Sequence, residues 1–317
     1  MTEYRIGAGG WAYFQVPGMD PLSAYSKAFN FVEVNSTFYE TPPPKMVSAW
    51  REKVPADFEF SVRVHRDLSH NYRLEPVKES FKLLSRDIEI CRILHSSILQ
   101  LETPSNLKIT RGKTSALRDL LASADTKGVR IAWEIRSETP PKELPDYIAK
   151  TMQDLNMIHC VDLSREDPAY TTDVMYGRLF GKGWYNTYQF DDKELKQLHE
   201  KIKKTEGKKV VLSFHGLKMY IDAARFKVYN ESLKLPAVTK SVGLDSLQEV
   251  LKEDAHFPMT KDQLVRHQGW KVIDLTVSER IHSSEVLRKL DNKTYGSVDE
   301  VINTLRMETE TEDKQEN

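Results

Sequence analysis

The sequence predicts an α/β fold: a TIM-type (β/α)8 barrel over residues 1–235, followed by a small all-helical C-terminal domain over residues 236–307. Three observations predict it. Short strand-like runs alternate with amphipathic, helix-like runs from residue 3 to about residue 235, as in a mainly parallel sheet covered by helices. The strands number eight, enough to close a barrel. Seven of them end in polar or charged residues on one side of the strand, as a chemically active carboxyl-terminal mouth requires.

In order, the strands are Tyr4–Gly9, Phe31–Asn35, Phe58–His65, Ser97–Leu101, Val129–Arg136, Met157–Asp162, Met175–Phe180 and Val210–His215. Helical patterning occupies Lys45–Lys53, Pro76–Ile93, Lys113–Lys127 and Asp191–Lys204 between them. The last helix has the clearest start: Asp191 can cap its first turn, Glu194 follows three residues on, and lysines gather at its end. An open dinucleotide-binding sheet fits less well. Gly7, Gly9 and Gly10 lack the Gly-x-Gly-x-x-Gly spacing and lead into Trp11. Near Pro236 the alternation stops. Leu244–Leu251, Thr260–His267, Ser283–Leu290 and Ser297–Leu305 then read as helices, with Thr260 as a cap. Residues 308–317 read as a disordered acidic tail.

A chain of 317 residues can hold one barrel of ~250 residues plus a small module, or two average domains. Its 39% hydrophobic and 29% charged residues are those of a globular protein. No apolar run approaches the ~20 residues of a membrane span, and Met1-Thr2-Glu3-Tyr4-Arg5 enters a strand without a signal-peptide core. A cytoplasmic location with no membrane association is therefore expected. Cys91 and Cys160 have neither metal nor disulfide spacing and read as buried thiols in a reducing compartment. The net charge of −1 hides an asymmetry: residues 242–317 carry −6, which leaves +5 on residues 1–241. A mildly basic barrel suits an anionic ligand. Duplex nucleic acid is a poor fit, because no contiguous Lys/Arg face stands out. Neither a Gly-x-Ser-x-Gly elbow nor a Walker loop is present, which disfavours serine-nucleophile and nucleoside-triphosphate chemistry.

Strand parity selects the candidate site. Glu33 shares a face with Asn35, and Glu134 with Arg136; Ser61, Arg63 and His65 share another, as do Val211, Ser213 and His215. Tyr176 and Arg178 lie opposite Met175 and Gly177, Gln100 opposite Leu99, and Asp162 opposite Val161. Glu33 and Glu134 read as an acid–base or nucleophile pair, since burial can raise one carboxyl while an arginine holds the other ionised. Arg63, Arg136 and Arg178 are candidate clamps for phosphate or carboxylate. The plainer alternative is that Glu134 and Arg136, or Glu33 and Arg63, form ion pairs that fill a barrel layer. His65 and His215 read as general bases, as metal ligands beside Glu33, Glu134 and Asp162, or as inert hydrogen-bonded histidines. Aromatic residues after the strands, among them Trp11, Tyr39 and Tyr185, can stack on a sugar or base, or simply hold the loops.

The stretches Ile6-Gly7-Ala8-Gly9-Gly10-Trp11-Ala12-Tyr13 and Phe31-Val32-Glu33-Val34-Asn35-Ser36-Thr37-Phe38-Tyr39 resemble the YecE-like family, also called domain of unknown function 72 (DUF72). The likeness continues through Phe58–Arg63, Ile131–Arg136 and Tyr176–Gly181 and covers about residues 4–230. The resemblance implies a TIM-type barrel and supplies no reaction. Phe180-Gly181 stands where the family tends to have His-Gly, and Phe214-His215-Gly216 where it often has Asn, so a role for the family histidine would pass to His215. The runs Phe257–Leu264, Leu287–Leu290 and Tyr295–Val301 resemble a small helical domain of unknown function, numbered 2795 (DUF2795).

The expected function is that of a hydrolase or lyase acting on a small anionic or sugar-containing ligand such as a phosphodiester, nucleotide or nucleic-acid end. Glu33, Glu134, His65 and His215 are its expected catalytic groups. Trp11, Asn35, Tyr39, Arg63, Gln100, Arg136, Arg178 and Tyr185 are expected to bind substrate. No cofactor is required, and a divalent metal is admitted. The alternative is a ligand-sensing barrel whose helical module binds a protein partner that the sequence does not identify.

Overall fold

The structure is a computed structural model and describes residues 2–136, 144–183, 186–204 and 208–315. Eight parallel strands form one sheet: β1 (Glu3–Ala8), β2 (Phe31–Val34), β3 (Glu59–Arg63), β4 (Ile98–Thr103), β5 (Arg130–Ile135), β6 (Ile158–His159), β7 (Val174–Leu179) and β8 (Lys209–Phe214). Their order is β6-β5-β4-β3-β2-β1-β8-β7. A parallel bridge from Val161 to Gly177 brings the two ends of the sheet together, giving the nearly closed TIM-like barrel that the alternation predicts.

Alternation along the strands explains the layering. Val32, Val34, Phe60, Val62, Leu99 and Leu101 are buried on one side. The opposite parity contributes an interior apolar layer that includes Phe31, Ile98, Ala132, Ile158, Tyr176 and Val211. At the amino-terminal end Glu59 pairs with Arg5 at 2.7 Å and Lys209 at 2.5 Å. One step beyond the apolar layer, toward the carboxyl ends, the inward positions are polar except for Gly9 and Cys160. Both cysteines are buried and unbonded to one another.

Gly7 is required where β1 meets β2. Tyr25 Oη accepts from Ala8 N (2.7 Å) and donates to Phe31 O (2.9 Å), and a Cβ on Gly7 would stand 1.9 Å from that carbonyl.

The chain clusters into two compact units, one of Met1–Leu179 with Ile202–His215 and one of Phe180–Lys201 with Gly216–Asn317. All eight barrel strands belong to the first. The second contains the expected helices Leu244–Asp254, Lys261–Gln268, Ser283–Leu287 and Val298–Gln315. Its apolar core is built on Leu247, Leu251, Leu264, Ile273, Tyr295 and Ile302. Thr260 does cap its helix, forming a complete capping box with Gln263. The all-helical expectation needs one correction. Val272–Thr276 pairs antiparallel with Glu279–His282, and Met259–Thr260 with Thr294–Tyr295. Strands of two to five residues are too short to impose a recognisable period of two. The last helix continues to Gln315, into the segment expected to be a tail.

Candidate functional site

At the carboxyl ends of the strands, three carboxylates and three guanidinium groups form one network. Arg178, on β7, is its centre and is 1% exposed. Its Nε lies 3.1 Å and its Nη2 3.1 Å from the Glu33 oxygens, and its Nη1 lies 3.0 Å from Glu102 Oε2 and also bonds Glu134. Arg63 on β3 donates to Glu102 Oε2 at 2.6 Å and to Asn35 Oδ1 at 3.1 Å. Arg136, just past β5, reaches Glu102 Oε2 at 3.0 Å and Glu134 Oε1 at 3.1 Å. Gln100 Nε2 donates to Glu134 Oε2 at 3.1 Å. Beneath them Ser61 Oγ and Tyr176 Oη are 2.7 Å apart, and Tyr176 donates to Glu33 Oε2 at 2.7 Å.

Burial sets the protonation states. Desolvation works to raise Glu134, but Arg178 and Arg136 outweigh it and hold this carboxyl at about 2. Burial alone would weaken the Arg178 charge; Glu134, Glu33 and Glu102 reverse that and push it well up. Burial and then Arg178 lower Arg63. Burial, then Arg178 and Arg63, push His215 well below its usual range, so its imidazole is neutral. Burial and the Glu33 charge push the Tyr176 hydroxyl well up, and it stays a donor. The His215 Nε2 is 3.1 Å from Ser213 Oγ and 3.4 Å from Glu33 Oε1. A carboxylate only accepts, so the proton of the neutral ring belongs on Nε2.

The segment Glu33–Tyr39 divides this work residue by residue. Glu33 anchors Arg178. Asn35 Nδ2 donates to Gly9 O at 2.8 Å while its oxygen accepts from Arg63. Thr37 Oγ1 lies 2.8 Å from Val34 O and 2.7 Å from Arg63 O, tying the ends of β2 and β3. The Phe38 ring lies under the Arg63 guanidinium at 3.9 Å. Gly9 leaves space for the ring above it: a Cβ there would be 2.3 Å from His215 Cε1 and 2.6 Å from Asn35 Nδ2. Gly9→Ala should therefore cost ~1–3 kcal/mol and move the His215 ring, which a melting curve and the imidazole NMR signals would both register. An unchanged His215 spectrum would contradict this packing.

Glu33, Asn35, Arg63, Gln100, Glu134, Arg136, Arg178 and His215 come together as their parity predicts. His65 does not join them. The strand ends at Arg63, and His65 caps the helix Arg66–His70, its Nδ1 accepting from Asp67 N at 3.3 Å while its own N–H donates to Asp87 at 3.0 Å. Asp162 is occupied locally, accepting from Ser164 N (2.9 Å) and Oγ (2.6 Å). A barrel-mouth metal site using His65 and Asp162 is therefore not formed among the described residues. Arg178 stands between Glu33 and Glu134 and bonds both, so they do not face each other as an acid–base pair. Trp11 packs edge-on to Trp50 at 5.3 Å, and Tyr39 sits edge-on to Phe38 with 66% of its surface exposed. Tyr185 lies outside the described residues. Glu102, bonded to all three arginines, is not among the predicted site residues because the fourth strand runs on to Thr103, two residues past the expected end at Leu101. Extending the Gln100 parity by one step would have found it.

Two buried atoms in the network have no partner among the described residues: Arg63 Nε and Gln100 Oε1. Arg136 is the most exposed of the guanidinium groups, with 42% of its side chain accessible.

A family model described as "Protein of unknown function DUF72" matches residues 5–233. Escherichia coli K12 UPF0759 protein YecE is 39% identical over 57 residues, 18% of this chain and 21% of that protein, so the match spans about a fifth of the relative's length. A DUF72 family protein from Thermotoga maritima MSB8 superposes with a TM-score of 0.57 at 20% identity, covering 73% of this chain and all of that one. One from Enterococcus faecalis V583 gives 0.57 at 17% identity, covering 73% and 94%. At such identities the likeness concerns the fold alone.

Proposed function

The chain belongs to the DUF72 family, and from the geometry of its barrel mouth we propose that it is a hydrolase or lyase acting on a small anionic, sugar-containing substrate. One observation carries this reading: an accessible arginine and a buried unpaired guanidinium N–H adjoin a carboxylate held ionised. Arg178 is saturated by three carboxylates and serves as scaffold. Arg136 and Arg63 are the groups that meet the anion, since a phosphate or carboxylate matches the guanidinium fork. An incoming anion that draws Arg136 away from Glu134 removes one of the two charges depressing that carboxyl, and its basicity rises as substrate binds. Glu134 is then the base, and the neutral His215, its Nε2–H turned toward Ser213 and Glu33, holds Glu33 in place beside Arg178. Phosphodiesters, nucleotides and nucleic-acid ends all meet this description.

The second reading is a sensor. The same unpaired atoms would fit a ligand that is bound and not transformed. A location in the cytoplasm and a protein partner for residues 236–307, a module resembling domain 2795, belong to the proposal in either form.

Arg136→Ala tests the anion contact. The loss of a charge-assisted bond, ~1.5–3 kcal/mol, should weaken binding of ribose 5-phosphate, nucleotides or 5′-phosphorylated dinucleotides by roughly tenfold or more. Calorimetric titration of the variant and wild type with each compound reads this directly. Unchanged affinity for a compound that binds the wild type would remove Arg136 from the site.

A further inference from the structure

We propose that Asp191, Glu194 and His282, in the second compact unit, form a binding site for a divalent cation of the zinc class. One ligand atom from each of the three lies within 4.8 Å of the others. The two carboxylates are brought together by the helix that begins at Asp192: Glu194 N donates to Asp191 Oδ1 at 2.8 Å, and Asp191 N to Glu194 Oε2 at 3.2 Å. That reciprocal cap uses Asp191 Oδ1 and leaves Oδ2 facing His282.

The imidazole carries the argument further. His282 Nε2 lies 2.8 Å from the Gln189 carbonyl, which only accepts, so Nε2 bears the proton and the neutral ring has its lone pair on Nδ1. Ligating histidines characteristically donate their other N–H to a carbonyl or carboxylate in this way. The ring is held on other sides as well. Tyr188 packs against it at 5.2 Å, and Val272, paired with His282 in the hairpin, donates to Gln189 Oε1 at 2.9 Å. His282 Nδ1 then stands 3.6 Å from Asp191 Oδ2. That is too long for a hydrogen bond. It is close to the ~3.3 Å between two ligands of a tetrahedral ion whose bonds are ~2.0–2.1 Å. One imidazole with two carboxylates suits zinc or a neighbouring transition ion better than magnesium, which prefers oxygen ligands throughout.

Lys182 is the competing cation. Its ammonium is 3.1 Å from Glu194 Oε1, and the side chain is 61% exposed and readily displaced. Tyr188 donates to the same oxygen and can remain as an outer partner. A bound ion would clamp the segment 188–194 to the hairpin 272–282 within this unit.

The test uses the full chain, freed of metal with a chelator and titrated calorimetrically with zinc chloride. One equivalent should bind. His282→Gln should lower the affinity by at least ~10–100-fold, the loss that even an outer partner of a ligand incurs. Lys182→Ala should tighten binding, because a competing charge is gone, and this exposed substitution carries little folding risk. Absence of saturable binding to wild type, or equal affinity in His282→Gln, would overturn the site. Cobalt(II)-loaded wild type provides a check that needs no variant. Ligation through Nδ1 predicts a single hyperfine-shifted, exchangeable imidazole N–H, and a spectrum without it refutes the assignment.

Discussion

Replacing Arg178 by methionine is expected to cost ~3–5 kcal/mol of folding stability, the usual penalty for leaving buried charge uncompensated. The guanidinium is 1% exposed and bonds Glu33, Glu102 and Glu134 together. Methionine fills much of the volume and supplies no donor, so three carboxylates lose their shared partner. Urea denaturation should show a lower midpoint with an unchanged slope, the signature of reduced native stability. A loss below ~1 kcal/mol, the range of exposed pairs, would mean that the network is slack and that Arg178 does not organise it. Arg136→Ala should cost much less than Arg178→Met, because Glu102 keeps two arginines and Glu134 keeps Arg178.

Glu134→Gln is expected to leave anion binding in place and to lower turnover by ~10²–10⁴, the range for loss of a general base. The amide keeps the size of the side chain and removes the group that accepts the proton. Unaltered turnover in the variant would assign the chemistry elsewhere, while binding without turnover in wild type would favour the sensor. Stability supplies a separate reading. The folded-state carboxyl is held at about 2, below its ordinary value of 4.5. A depressed carboxyl contributes stability that is fully present above the unfolded value and is lost as the pH falls through the folded one. Wild type should therefore exceed Glu134→Gln in stability by a constant amount above about pH 5, and the gap should close between about pH 4.5 and 2. A gap that stays the same at pH 3 and pH 7 would contradict the ion pairing.

Most of the barrel and much of its mouth are legible in the sequence, because both rest on a period of two. Once a strand such as Phe31–Asn35 is recognised, Glu33 and Asn35 must share a face with Phe31, and the apolar alternate residues must face the other way. The same reasoning places Arg63, Glu134, Arg178 and His215. It fails where the chain leaves the strand: His65 keeps the right parity on paper but caps a helix. It also fails where a strand is ended too early, which conceals Glu102. The pairing of Glu134 with Arg136, two residues apart on one face, is readable and forms. That of Glu33 with Arg63 does not form, because closure of the barrel brings Glu33 to Arg178 across 145 residues of sequence and Arg63 meets Glu102. The acid–base pairing of Glu33 with Glu134 yields to the same geometry, since Arg178 comes between them. In the second unit the caps at Thr260 and Asp191 are readable because their partners lie three residues away. The small sheets are not, since their strands are too short.

The central claim is that the barrel mouth takes up an anion through Arg136 and Arg63, beside an ionised Glu134. The most direct measurement is the thermal shift of wild type, Arg136→Ala and Glu134→Gln against inorganic phosphate, ribose 5-phosphate, nucleotides, 5′-phosphorylated dinucleotides and uncharged sugars. A compound present at a hundred times its Kd stabilises the folded state by ~2.7 kcal/mol, which a melting curve resolves. The account predicts that at least one phosphorylated sugar compound raises the melting temperature of wild type and Glu134→Gln, with the shift reduced or lost in Arg136→Ala. No shift with any anion, or an equal shift in Arg136→Ala, would contradict it.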